Sequence, residues 1–96
     1  MIKIKYLLLI LMALVISNAK AELSNFKIGQ NLFDEKKYDL AKFKFEQDIV
    51  FNPKNENSYL YLSKIYNFKN DDNQEERNLN TVMLLNPKNE EAILNL

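Results

Sequence analysis

Asn52-Pro53-Lys54-Asn55-Glu56 recurs unchanged as Asn86-Pro87-Lys88-Asn89-Glu90, 34 residues further along the chain. Exact recurrence at a fixed period of roughly 20 to 50 residues is the sequence mark of stacked supersecondary units. Each proline closes an element, because it cannot donate a backbone hydrogen bond and it pushes the residue before it out of the helical region. Asn55 and Asn89, two residues on, are natural N-caps for the helices that follow. Between the pentapeptides, Tyr59, Leu62, Ile65 and Tyr66 recur at helical spacing. After the polar break Lys69 to Asn73, Leu79, Val82 and Met83 do so again, and Asp72 with Glu75 forms a D-x-x-E helix start. Upstream, Phe26, Ile28, Leu32 and Phe33 predict one helix. The turn Asp34 to Lys37 follows, and Tyr38, Ala41, Phe45 and Ile49 predict the next. Phe43 and Phe45 also alternate with Lys42, Lys44 and Glu46 as a strand would, but one short alternation inside a helical period yields to the period.

Two helices per 34 residues with a closing proline resemble the tetratricopeptide repeat, W-x-x-L-G-x-x-Y, then A-x-x-x-F, then P. In the first unit Asn25 occupies the tryptophan slot, while Ile28, Gly29, Leu32, Ala41, Phe45 and Pro53 fall in register. Tyr38 and Phe51 stand at further apolar family positions. The second unit aligns Tyr59, Leu62, Ser63, Tyr66, Leu79 and Pro87. A third begins at Glu90 and sets Ile93 and Leu96 in the first two slots. Asp48 and Glu75 stand where the family favours a small residue. The resemblance implies an all-α fold of about five helices, in antiparallel helix-turn-helix repeats stacked as a short right-handed solenoid. The repeat domain would cover 22–96, with units at 22–55, 56–89 and 90–96. The last is expected to be a terminal capping helix or the stub of a longer array.

The 96 residues carry 13 basic and 13 acidic side chains, no Cys, no His and no Trp. The sequence therefore offers no disulfide, no thiol nucleophile, no imidazole base and no thiolate or imidazole metal ligand. It also has no G-x-S-x-G elbow. Asp71 to Glu76 lacks the glycine and the third ligand of a calcium loop. The chain is accordingly expected to be non-enzymatic, with no cofactor and no metal. Lys3, Lys5 and Lys20 account for three of the basic groups. From Glu22 onward 10 bases face 13 acids, a net charge of −3, which argues against the clustered basic face of a nucleic-acid binder.

Those lysines flank an apolar run from Tyr6 to Ile16, followed by Ala19-Lys20-Ala21. Basic start, short apolar stretch and A-x-A site predict a secretory signal peptide over 1–21, cleaved after Ala21. A spanning helix needs about 20 apolar residues, roughly twice this run. The expected location is periplasmic or secreted, and the lack of Cys excludes a lipid anchor on that residue.

By the resemblance, the first helix of each unit lines a concave groove. Its slots hold Leu23, Phe26, Gln30, Phe33 and Asp34, then Asn57, Leu60, Lys64, Asn67 and Phe68, then Glu91 and Leu94. Phe26, Phe33, Leu60 and Phe68 form an apolar wall suited to an apolar or amphipathic segment of another protein, oriented by Lys64, Asn57 and Asn67, with Gln30 also in the groove. The basic clamp on a terminal carboxylate known in the family is missing, because Phe26 and Leu60 fill its slots. A second surface comes from the predicted helix after the first turn. Its stripe Tyr38, Ala41, Phe45, Ile49 faces inward, which turns Leu40, Phe43 and Val50 outward as a candidate self-association patch. A structural homo-oligomer or membrane-proximal packing unit is thus the alternative function.

Overall fold

A computed structural model of the chain describes residues 23–96. The segment read as a signal peptide lies outside the described residues. Among those described, the fold is all-helical, and no helix is long and apolar enough to cross a membrane. The helices are α1 (Asn25–Asp34), α2 (Tyr38–Phe51), α3 (Glu56–Phe68), α4 (Asp72–Leu85) and α5 (Glu90–Asn95), and each packs chiefly on its neighbours in sequence. The Phe43–Phe45 alternation is absorbed into α2, where Phe45 is fully buried and Phe43 is exposed.

The period is visible in the backbone. The turns inside the two units end α1 and α3 with the same left-handed cap, Lys36 at φ 61° and Asn70 at φ 58°. In each, the two amides at and after the cap reach back to the helix. Lys36 and Lys37 donate to the carbonyls of Phe33 and Leu32, and Asn70 and Asp71 donate to those of Asn67 and Tyr66. This is a Schellman closure, which satisfies carbonyls the helix end leaves open. Asparagine tolerates the left-handed region, whereas Lys36 carries a side chain poorly suited to it. The corners between units also repeat. The amides of Asn55 and Asn89 donate at 3.1 Å to the carbonyls of Asn52 and Asn86, closing turns with Pro53 and Pro87 in second place.

The core lies in two clusters. Ala41, Phe45, Leu62 and Ile65 form the first, with Phe26, Leu32, Phe33, Tyr38 and Tyr61 packed on it, and Leu60, Leu79, Val82 and Ala92 form the second. Within the first, α1 and α2 approach so closely that a Cβ on Gly29 would stand 2.8 Å from Cε1 of Phe45. One period later the pair becomes Ser63 and Leu79, both buried. A smaller partner coincides with a larger residue at the close approach. The Ser63 hydroxyl donates to the Leu60 carbonyl at 2.6 Å.

The corners differ in chemistry. Asp48, almost fully buried, accepts from Asn52 Nδ2 at 3.0 Å, Asn55 Nδ2 at 2.8 Å and Ser58 Oγ at 2.6 Å. Buried carboxylates persist where such donors surround them. At the equivalent place after α4, Val82 and Ala92 replace Asp48 and Ser58, and both are fully buried. The same corner is therefore built once from a hydrogen-bonded carboxylate and once from aliphatic contact. Asn55 takes the N-cap position of α3 as expected, but without the side-chain bond of a cap. Its amide is drawn to Asp48, whereas Asn89 accepts from the Ala92 amide at 3.1 Å. The helix α4 starts at Asp72 as the D-x-x-E signal predicts, but the capping residue is the one before it. Asp71 provides the cap, accepting from the Gln74 amide at 3.2 Å, because the Schellman turn at Asn70 fixes where the helix begins.

Two expected outcomes follow. Gly29→Ala lowers stability by about 1 kcal/mol, as overpacking of about 1–3 kcal/mol outweighs roughly 1 kcal/mol of helix propensity. In a Phe45→Leu background the same change becomes neutral or stabilising, and urea denaturation of the four proteins reads the reversal of sign. Asp48→Val alone costs about 2–3 kcal/mol, chiefly by leaving the buried Ser58 hydroxyl unpaired, and adding Ser58→Ala, which copies the second corner, recovers at least half of that in the same assay.

Candidate functional site

Tyr61 joins α1 to α3. Its ring stacks on Phe45 with centroids 4.8 Å apart and a 14° interplanar angle. Phe26 and Phe33 meet it edge-on at 6.0 and 5.0 Å. Gln30 Nε2 donates to its hydroxyl at 3.4 Å, and Lys64 Nζ lies 5.1 Å from the ring centroid. Such pairings favour tilted or offset rings and add specific attraction to simple burial. Tyr61 was not among the expected groove residues. Its spacing of four from Asn57, three from Lys64 and seven from Phe68 places it on their face, a signal that repeat matching overlooks.

This hub corrects the expected apolar wall. Phe26 and Phe33 are half-buried in the aromatic cluster, and Leu60 is 6% exposed within the second core cluster. Leu60 is held by α4 and α5 on the side the groove reading left open. Phe68 alone of the four stays well exposed, at 55%, while stacked on Tyr38 at 4.8 Å and tilted against Phe33 at 6.1 Å. Asn57 is exposed one turn before Tyr61 on α3. The outward stripe of α2 stands as expected, with Leu40 and Phe43 57% exposed and Val50 74%, and Phe51 at its end is exposed as well.

Of the expected slots, Leu60, Lys64, Asn67, Phe68 and Glu91 line a depression, whereas Leu23, Asp34 and Leu94 do not. Leu60, Ser63, Lys64, Asn67 and Phe68 from α3, Glu75 from α4, and Glu91 and Asn95 from α5 enclose about 160 Å³. Lys64 Nζ is bound to Glu91 Oε1 at 2.7 Å, and Asn67 Nδ2 donates to Glu75 Oε2 at 3.1 Å. Glu75, at a slot the family fills with a small residue, thus sends its carboxylate to the groove floor instead of completing a cap for α4. A second depression of about 310 Å³ shares Glu75 and Asn95 with the first and adds Asp72, Glu76, Leu79 and Leu96. Beside the exposed end of the aromatic cluster, Lys69 hydrogen-bonds Asp39 across the units and holds that carboxyl below its ordinary value. The tie therefore acts above the usual carboxylate range and is lost as pH falls through the lowered pKa.

Among the described residues no group of three or more metal-ligating side chains converges. Chemically the site offers an aromatic face, an aliphatic floor and orienting amides and carboxylates, a composition that suits recognition of a peptide. Comparison with protein-family models and with curated proteins gives no match to the chain.

Proposed function

We propose that this chain is an exported, non-enzymatic interaction module of the tetratricopeptide type that holds a segment of another protein in the groove of α3, α4 and α5. The observation that carries the reading is Phe68. It is a large aromatic exposed at the mouth of a formed depression, backed by Tyr38 and Phe33 so that it is oriented before any partner arrives. A preordered anchor reduces the entropy lost on binding. The 34-residue recurrence of both turn types supports the repeat assignment, and the three-part pattern of Met1 to Ala21 supports export to the periplasm or medium. Leu60 lines this surface and Phe33 backs Phe68, whereas Gln30, Asn57 and Phe26 lie outside its lining.

A second reading, self-association through α2, is favoured by the exposure of Leu40, Phe43, Val50 and Phe51 on one face of a single helix.

A photoreactive residue at the exposed position Asn67, introduced into the full chain in cells, is expected to yield discrete heteromeric adducts that disappear with Phe68→Glu, while that variant loses only about 1 kcal/mol of stability. Adducts from Val50 and none from Asn67 would reject the groove. Sedimentation velocity separates the second reading. Association that rises with concentration and vanishes in Phe43→Lys supports it, and a strict monomer at the highest concentration removes it.

A further inference from the structure

The two depressions share Glu75 and Asn95 and so form one continuous surface with two chemically different ends. At one end Phe68 and Leu60 offer apolar contact. At the other, Leu79 and Leu96 sit among Asp72, Glu75 and Glu76. The ionic groups of the whole surface are one cation, Lys64, against four carboxylates: Asp72, Glu75, Glu76 and Glu91. Lys64 is already neutralised by Glu91 at 2.7 Å and turned against the Tyr61 ring. An incoming carboxylate would have to displace Glu91 and would still face Glu75 across the floor. Glu75 is tied by an amide, not by a cation. Asp72, Glu75 and Glu76 lie in the first turns of α4, whose dipole stabilises them as they stand but offsets only about half a charge.

We infer that the occupant of this groove is a polypeptide segment in which a large apolar side chain is followed closely by arginine or lysine, the apolar group seated against Phe68 and Leu60 and the cation over Glu75, Glu76 and Asp72. The inference rests on the groove reading above and adds its charge selectivity. Asp72, Glu75 and Glu76 make that end of the surface negative with no cation among its lining residues, so it attracts an incoming cation. The net charge of −3 beyond the leader steers such a segment toward the domain.

The test uses protein recovered from expression of the full 96-residue chain, and three fluorescent heptapeptides alternating leucine with arginine, glutamine or glutamate. Fluorescence anisotropy is expected to show the arginine peptide binding at least tenfold more tightly than the glutamate peptide. That preference is expected to collapse in Glu75→Gln/Glu76→Gln and to persist in Glu35→Gln/Glu46→Gln, which removes equal charge outside both depressions. Equal binding of all three peptides, or a preference unchanged by the Glu75/Glu76 variant, overturns the charge inference while leaving the groove reading in place. Binding of none of the three overturns both.

Discussion

The contact between Gly29 and the Phe45 ring sets how near α1 can lie to α2, and the rest of the stack inherits that spacing. Phe45 is completely buried, and its other face supports Tyr61. Tyr61 in turn gathers Phe26, Phe33, Gln30 and Lys64, so one close approach in the first unit sets the position of α3 and of the groove that α3 floors. A short chain with few large side chains gains from making one ring serve two interfaces, since its buried area is limited. The second unit meets the same packing demand with Ser63 and Leu79, a different division of volume between the two positions.

The architecture was legible because its strongest signals are local and repeated. Proline, the pentapeptide and the apolar spacing each act within a few residues, and the backbone answers them identically at Lys36 and Asn70 and at Pro53 and Pro87. The caps were less legible. Asn55 and Asn89 sit in identical pentapeptides yet choose different partners, because the deciding residue, Asp48 or Val82, comes from the preceding helix. Asp71 and Asp72 are equivalent as letters, and only the left-handed turn before them selects the first as the cap.

The groove was legible in part for the same reason. Leu60, Lys64, Asn67 and Phe68 are groove slots that the repeat resemblance implies, and they meet at one depression. Exposure did not follow, because it depends on residues outside the pattern. Tyr61 has Lys27 and Asn95 at its equivalent positions, so no repeat comparison marks it, yet it determines that Phe26 and Phe33 turn inward. The Asp48 carboxylate was likewise unexplained in sequence, since its three donors arrive from the turn and from α3.

The two unlike corners also make the units non-interchangeable. A chain that seated α5 where α3 belongs would set Ala92 against Asp48 and withdraw the hydroxyl that makes its shortest hydrogen bond, 2.6 Å from Ser58. Seating α3 against Val82 would bury the Ser58 hydroxyl on an aliphatic surface. Each error strands a polar group away from water, so a fold whose backbone could slip by one whole unit is keyed to a single order by one acid and one alcohol.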